Sequence, residues 1–210
     1  METLQLRKKT KLLFGFNITS LKKLTGYDND NYLVVCKDNK YILKKYTYSK
    51  KIESIISAEN DCLVYLNKSN QEIFPRPILS VNKKGFEIIS HGRKRYIIRI
   101  LSYIDGKFLG ENKISEKTLK SLGSFIGKMS KLLMRYSNDK ISSRILNWDI
   151  QNLKYNEKFI RYIKDPSKRK IVLFYFQQFD EFVEPKLKEL RRSIIHNDAN
   201  EWNLLINKKK

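Results

Sequence analysis

Residues 194–206 read Ile194-Ile195-His196-Asn197-Asp198-Ala199-Asn200-Glu201-Trp202-Asn203-Leu204-Leu205-Ile206. Apolar residues flank a polar centre, and this pattern predicts two short strands joined by a polar loop. The loop carries the carboxylate of Asp198 and, four intervening residues later, the amide of Asn203. Carboxylate and amide oxygens are ligands that hard divalent cations prefer. The stretch therefore predicts a compact loop that binds a metal ion and orients a reacting hydroxyl group.

The spacing between Asp198 and Asn203 is that of phosphoryl-transfer sites, where an Asp accepts the proton of the attacking hydroxyl and an Asn binds magnesium. Asp198 and His196 are the predicted catalytic residues, and Asn203 is the predicted metal ligand. We expect His196 to brace the loop by hydrogen bonding rather than to exchange protons with a substrate. The alternative is that these polar residues simply fill a loop between two strands.

A second pair of charges lies in the first half of the chain. Glu59 falls in the middle of the apolar stripe of a helix predicted over residues 52–66, where a carboxylate is costly unless it is paired. Lys44 ends the preceding predicted strand, and it is the expected partner. Such an ion pair would direct Lys44 toward nucleotide phosphates. The alternative is a surface lysine and an isolated glutamate.

Residues 24–32 hold one glycine, Gly26, among small polar residues. They are compatible with a turn that faces phosphate through backbone N–H groups, and equally with an ordinary polar turn.

The order of elements predicts an α+β fold. Strand-like hairpins are predicted over residues 32–44 and 86–101, with the helix of residues 52–66 between them. The second half predicts helices over residues 115–136, with Ser115 as N-cap, and over residues 166–184. Asp105-Gly106 is the predicted hinge. We therefore expect a nucleotide-binding N-lobe over residues 1–103 and a helical C-lobe with the catalytic loop over residues 104–210.

The composition and charge of the chain indicate which classes of binding partner to expect. The formal net charge is +21, but Lys outnumbers Arg by 32 to 11 along the whole chain, whereas base readout and phosphate clamps favour Arg. Nucleic acid is therefore not the favoured partner. No apolar run is long enough to span a membrane. Cys36 and Cys62 lack metal-like spacing and predict a reducing, cytoplasmic setting.

The chain resembles the aminoglycoside phosphotransferase superfamily, and within it the hydroxylysine kinase-like branch. The resemblance lies in residues 196–200 with Asn203, in residues 26–32, in residues 41–44 and in the Trp-Asp pair of residues 144–150. It implies a two-lobed, protein-kinase-like fold and phosphorylation of a small hydroxyl compound, such as hydroxylysine, by ATP or GTP with Mg²⁺. It also implies that Lys44 and Glu59 handle the phosphates, that Asp198 is the base and that Asn203 binds magnesium.

One departure from the family pattern matters. The second metal-binding aspartate, which such kinases carry on the hairpin after the Asn, has no counterpart before the final residue. We therefore expect a C-terminally truncated kinase. The alternatives are a catalytically inactive kinase-like fragment and, less favoured, a basic nucleic-acid-binding module.

Overall fold

The computed structural model describes residues 3–26, 29–69, 73–146 and 148–207. Its α-helices are α1 (Thr3–Phe14), α2 (Lys50–Asn67), α3 (Glu116–Leu133), α4 (Asp139–Ser142) and α5 (Pro166–Gln178). Its strands are β1 (Ile18–Leu24), β2 (Asp30–Cys36), β3 (Lys40–Thr47), β4 (Pro77–Ile78), β5 (Glu87–His91), β6 (Lys94–Ser102), β7 (Lys107–Phe108) and β8 (Leu205–Ile206). The predicted α+β class is confirmed.

The main sheet is antiparallel and has the order β1-β2-β3-β6-β4, with β5 also paired to β6. The predicted hairpins correspond to β2–β3 and β5–β6. The second one turns at Gly92, whose φ of +57° is the left-handed conformation that favours glycine. The central strand β6 is buried at five consecutive positions. Four of these positions are apolar, and the middle one is the charged residue Arg99.

A helix packs on each face of this sheet. On one face α1 contributes Leu6 and Phe14 to a core with Val34, Leu43 and Ile100. On the other face Ile56 of α2 packs with Tyr46 and Ile97. Sequence reasoning placed only one helix in this half, and α1 and β1 were not predicted. The buried face of α1 is narrow and includes a polar residue, Thr10, whose hydroxyl donates to the Leu6 carbonyl. The apolar periodicity of this helix is therefore weak.

Helices α2 and α3 share a second core. Leu66, Phe74, Met129 and Leu133 are buried there, and Ile194 packs against them from the outside. The side chain of Ser115 accepts a hydrogen bond from the backbone N–H of Thr118, which confirms the predicted N-cap of α3.

The strand predicted before the polar loop is not formed. Ile194 and Ile195 have no strand pairing with the described residues, because Ile194 packs on the α2–α3 core instead. The strand after the loop exists as β8, which pairs with β7 through Lys107↔Ile206 and Phe108↔Leu205.

The chain divides into two compact units, residues 1–141 with 194–210, and residues 142–193. The predicted boundary between residues 103 and 104 does not coincide with this division, because β7 pairs with β8 and α3 packs on α2 within the first unit. As a functional division into two lobes it stays a prediction.

The second unit contains 3-10 turns over Ile150–Tyr162 and α5. The helix predicted over residues 166–184 ends at Gln178 and continues as a π-helical turn, Phe179–Val183. A 3-10 turn, Glu184–Lys186, then carries Pro185. None of the helices in the described ranges is both long and apolar enough to cross a membrane.

Candidate functional site

The polar loop of residues 196–203 is fixed by hydrogen bonds within itself. Asn197 adopts φ +63°, a left-handed conformation that Asn tolerates better than most residues. The backbone N–H of Asp198 donates to His196 Nδ1 over 3.3 Å. An accepting Nδ1 leaves the proton of a neutral imidazole on Nε2. This contact has the form of the predicted brace, although the role of His196 stays a prediction.

Two amides hold the Asp198 carboxylate. Asn200 Nδ2 donates to Oδ1 over 2.8 Å, and Asn203 Nδ2 donates to Oδ2 over 2.7 Å. Asn203 Nδ2 also donates to the Asp198 carbonyl over 2.9 Å, which closes the loop into a ring. The structure thus brings Asp198 and Asn203 into direct contact. The Asn203 atom that faces the carboxylate is its amide nitrogen, and within the described part of the chain Asn203 Oδ1 accepts no hydrogen bond.

The loop is anchored at both ends. Before it, Ile194 packs on the α2–α3 core. After it, the pairing of β8 with β7 is extended by hydrogen bonds from Leu109 N to Leu204 O (2.9 Å) and from Gly110 N to Glu201 O (3.1 Å). The Trp202 and Phe108 rings form a T-shaped pair with a centroid distance of 6.1 Å. The contacts before and after the loop therefore hold it in one position on the rest of the fold.

A row of side chains crosses the main sheet under the β1–β2 turn. The registers place Leu24 opposite Asn31, Asn31 opposite Lys44 and Lys44 opposite Arg99. Residues directly opposite one another on adjacent strands project from the same face. For Arg99 this is the face that packs against α2, since its Nη2 contacts Glu59 Oε2 over 2.7 Å.

The predicted ion pair between Lys44 and Glu59 is not formed. The described residues give Lys44 neither a hydrogen bond nor an ion pair, and Arg99 takes the Glu59 carboxylate instead. Burial lowers the pKa of the Lys44 ammonium below its ordinary value, and the neighbouring Arg99 charge lowers it further, while Glu59 opposes the shift. Among the described residues, Lys44 is thus a half-buried cation that lacks a compensating contact.

The β1–β2 turn approaches the same row closely. A Cβ on Gly26 would lie 2.6 Å from the Asn29 carbonyl oxygen and 2.6 Å from Asn31 Nδ2, so the turn has room only for glycine there. Asn31 Oδ1 is buried without a hydrogen-bond partner among the described residues. A buried amide oxygen left unpaired is costly, which makes Asn31 a candidate ligand-contacting residue that the sequence did not single out. Tyr27 and Asp28, also in the predicted phosphate-facing turn, lie outside the described residues.

A polar cavity of about 250 Å³ lies beside this turn and is lined by Gly26, Asn29, Asp30, Lys45, Tyr46, Thr47 and Tyr96. Its charges compensate one another, because Asp30 pairs with both Lys45 and Lys23 at 2.7 Å. Lys45 alternates with Lys44 along β3 and therefore points to the opposite face. This cluster joins β1, β2 and β3, and its contacts are structural.

The sequence pattern of the Phosphotransferase enzyme family matches residues 20–210 of the chain. The hydroxylysine kinase of Mus musculus is 27% identical over 213 residues, an alignment that covers 92% of this chain and 56% of the mouse protein. The hydroxylysine kinase of Bos taurus is 26% identical over 212 residues, with the same two coverages of 92% and 56%. The chain therefore spans little more than half the length of these relatives.

Solved structures share the fold. A microcompartment-associated aminopropanol kinase superposes with a TM-score of 0.70 at 16% identity, covering 99% of this chain and 66% of that one. The amicoumacin kinase hAmiN, in complex with AMP-PNP, Ca²⁺ and Ami, gives a TM-score of 0.67 at 21% identity, with coverages of 99% and 61%. At these identities the likeness establishes the fold alone, and it confirms the predicted protein-kinase-like class.

Proposed function

The chain belongs to the Phosphotransferase enzyme family, and we propose that it carries the nucleotide- and metal-binding machinery of a small-molecule kinase. The proposed reaction is transfer of a phosphoryl group from ATP or GTP to a hydroxyl of a small acceptor. A hydroxylysine-like compound is the first candidate acceptor, because the relatives at 27% and 26% identity are hydroxylysine kinases.

The observation that carries the proposal is the contact between Asp198 and Asn203. The amide group of Asn203 donates to Asp198 Oδ2 over 2.7 Å, so a carboxylate and an amide meet at one point of an anchored loop. Asp198 is the proposed acceptor of the proton from the attacking hydroxyl. The two amides that hold its carboxylate would fix its orientation, so that little rearrangement is needed when the acceptor arrives.

A divalent cation fits the chemistry of this donor set. Mg²⁺ prefers oxygen ligands, and Asn203 Oδ1 and a carboxylate oxygen of Asp198 are the atoms proposed to hold it. When bound, the ion would neutralise charge that develops on the phosphoryl oxygens. The roles of the side chains themselves are orientation by Asp198 and placement of the cation by Asn203.

Lys44 is the proposed cation for the nucleotide phosphates. Its side chain is half-buried, has no counterion in contact among the described residues and lies in the row beneath the β1–β2 turn. A phosphate oxygen would supply the missing counter-charge and offset the cost of burial. Glu59 on α2, whose charge acts on Lys44 while its carboxylate is paired with Arg99, is the other residue proposed to handle the phosphates.

The test is phosphate transfer by the 210-residue chain to a panel that includes 5-hydroxylysine, with ATP and GTP assayed in parallel. Asp198→Asn removes the proton acceptor with almost no change in side-chain size, and a lost general base typically costs roughly 10²- to 10⁴-fold in rate. Asp38→Asn is the matched control, since Asp38 is an exposed acid in the turn between β2 and β3. Its rate should equal that of the unmodified chain.

Equal rates for the unmodified chain and Asp198→Asn would reject the assignment of Asp198. Mg²⁺-dependent nucleotide binding without transfer in any variant would instead identify a non-catalytic nucleotide-binding chain, and the kinase proposal would be wrong.

A further inference from the structure

Asn31 carries an amide oxygen whose hydrogen-bonding capacity is unused. Its Oδ1 atom is buried and has no hydrogen-bond partner among the described residues. A buried acceptor without a donor costs free energy, so a fold that keeps one calls for a reason. A group that moves or a ligand that binds can supply the donor at the moment it is needed, and the neighbours of Asn31 show which donor is at hand.

The row of side chains across the sheet offers Asn31 one nearby donor. Its neighbour on β1 is Leu24, which has an apolar side chain, and its neighbour on β3 is Lys44. Beyond Lys44, each nitrogen of the Arg99 guanidinium donates to another side chain over 2.7 to 3.1 Å. The Lys44 ammonium has three N–H donors, and its burial lowers its pKa with no hydrogen bond or ion pair to the described residues in compensation. An unused acceptor and an unused donor are therefore adjacent in the sheet.

The hydrogen-bond ladder brings these two residues close together. Cys36 N donates to Asn39 O over 2.8 Å and closes the β2–β3 hairpin with a hydrogen-bonded pair. Bonded and non-bonded pairs alternate along an antiparallel ladder, and five steps further Asn31 and Lys44 form a non-bonded pair. The Cα atoms of such a pair are about 4.5 Å apart and its side chains are closer than those of a bonded pair, whose Cα atoms are about 5.5 Å apart.

The same count on the other side of β3 gives the wider spacing. Tyr48 N donates to Arg95 O over 3.0 Å, and four steps further Lys44 and Arg99 form a bonded pair. The backbone therefore holds Lys44 nearer to Asn31 than to Arg99.

The β1–β2 turn contacts the other end of the amide. A Cβ on Gly26 would lie 2.6 Å from Asn31 Nδ2 and 2.6 Å from the Asn29 carbonyl oxygen. A space that holds a carbonyl oxygen suits the donor end of an amide, so the acceptor end is the one that stays unpaired. Asn31 thus lies between the turn predicted to face phosphate and the ammonium proposed to meet it.

We propose that Asn31 is a positioning residue: when nucleotide binds, its amide oxygen accepts one N–H of the Lys44 ammonium and directs the other two toward phosphate oxygens beneath the β1–β2 turn. A hydrogen bond to a charged donor is stronger than one between neutral groups, so a single contact can orient the ammonium. This inference rests on the proposed function, because it takes Lys44 as the group that meets the phosphates. It differs from a direct contact between Asn31 and the nucleotide, because Asn31 acts only through Lys44.

A double-mutant cycle tests whether Asn31 acts through Lys44. The four proteins are the unmodified chain, Asn31→Ala, Lys44→Met and the double variant. Their affinity for ATP with Mg²⁺ is measured by displacement of a fluorescent nucleotide analogue. Asn39→Ala is the matched control variant, since Asn39 is exposed in the turn between β2 and β3. Adenosine, which lacks phosphates, is the matched control ligand.

We expect Asn31→Ala to weaken ATP binding roughly tenfold or more, the value of one charge-assisted hydrogen bond, and to leave the affinity for adenosine unchanged. In the Lys44→Met background, the same substitution should change the ATP affinity by less than about twofold. Asn39→Ala should bind ATP like the unmodified chain. Asn31→Ala and Asn39→Ala should unfold at the same urea concentration, because the oxygen removed from residue 31 makes no hydrogen bond to the described residues.

The contrary outcomes separate this inference from the proposed function. If the unmodified chain binds ATP and Asn31→Ala binds it equally well, only the inference is wrong. Equal weakening by Asn31→Ala with and without Lys44 would identify a direct contact with the nucleotide, and the positioning role would be wrong. If the unmodified chain binds no ATP, the proposed function is wrong and the inference falls with it.

A titration without nucleotide checks that the two side chains are neighbours, and it decides the matter if Asn31→Ala does not fold or Lys44→Met binds too weakly to measure. The Lys44 ammonium is followed by NMR in chains labelled with ¹³C at lysine Cε and is assigned through Lys44→Arg. Asn31→Asp keeps the size of the side chain and adds a carboxylate, so it should raise the pKa of Lys44, which burial lowers in the unmodified chain. Asn39→Asp is the control and should leave that pKa unchanged. A Lys44 titration that does not respond to Asn31→Asp overturns the inference.

Discussion

Replacing Asp30 by Asn is expected to destabilise the hairpin that carries the β1–β2 turn. Asp30 is the first residue of β2, and its two carboxylate oxygens contact Lys23 on β1 and Lys45 on β3, each over 2.7 Å. Lys45 is 8% exposed. A neutral amide in place of the carboxylate could not balance its charge, so the variant leaves an ammonium without a counterion in a nearly buried position.

The size of the effect follows from these contacts. At an effective dielectric constant of about 20, two unit charges this close attract by about 6 kcal/mol. Desolvation of Lys45 cancels much of that attraction, and the 31% exposure of the Asp30 side chain screens part of the remainder. We expect a net loss of about 2 kcal/mol, or about 4–8 °C in Tm for a chain of this size.

The effect has a defined dependence on pH. The hydrogen bonds from Lys23 and Lys45 lower the pKa of the Asp30 carboxyl below its ordinary value in the folded chain. A group with a lowered pKa stabilises the fold fully above its unfolded pKa, and this contribution is lost as the pH falls through the folded pKa. The difference between the unmodified chain and Asp30→Asn should therefore be full near pH 7 and should shrink as acidification protonates the Asp30 carboxyl in the folded chain.

Thermal and urea unfolding followed by circular dichroism at several pH values measures this difference. Lys23→Gln is the control, because it removes the exposed partner of Asp30 and leaves the Lys45 pair intact. The reasoning is refuted if Asp30→Asn costs no more stability than Lys23→Gln, or if its cost is the same at neutral and acidic pH.

Three further changes have defined outcomes. Gly26→Ala should disrupt the β1–β2 turn and weaken nucleotide binding, because its Cβ would lie 2.6 Å from a backbone oxygen; hydrogen exchange of β1 and β2 reports the disruption. Gly123→Ala in α3 meets nothing within 4 Å and should stabilise the chain by about 1 kcal/mol in urea unfolding. Burial, with a smaller effect of Glu59, raises the pKa of the Cys62 thiol to about 11, so only about 0.1% is thiolate near pH 8. Alkylation of Cys62 should therefore be slow, accelerate about tenfold per pH unit and be faster in Glu59→Gln.

Each of these three predictions has an outcome that would contradict it. Unchanged exchange in Gly26→Ala would show that the turn can move aside at little cost. Destabilisation by Gly123→Ala would mean that this face of α3 is packed. Alkylation of Cys62 at the rate of an ordinary thiol would contradict its burial.

The sequence predicted the elements that have strong periodicity and clear ends. The helix predicted over residues 52–66 corresponds to α2, and the two hairpins follow from alternating and β-branched runs closed by turn residues. Helix α1 was missed because its buried line is narrow and contains Thr10. The strand predicted at Ile194 is wrong because two apolar residues are compatible both with strand pairing and with packing on a helix. In the structure Ile194 packs on the α2–α3 core.

The partner of Glu59 shows what a single sequence leaves open. A carboxylate on an apolar stripe predicts a nearby cation, and that part of the argument is confirmed by the ion pair with Arg99. Lys44 was predicted as the partner because it ends the preceding predicted strand. The actual partner, Arg99, lies in the central strand, 40 positions after Glu59. The signal was present: Arg99 interrupts an apolar run just as Glu59 does, and two opposite charges in apolar surroundings are natural partners. The contact between Asp198 and Asn203 needed less information, since both belong to one short loop.

The packing of Trp202 on Phe108 has a practical consequence. The chain has two tryptophans, and Trp202 lies within the anchored loop at 57% exposure, in T-shaped contact with the Phe108 ring. Replacing Trp148, which belongs to the other compact unit, by Phe would leave one indole. Its ultraviolet emission would then give a label-free optical signal for testing whether cations or nucleotides bind near Asp198.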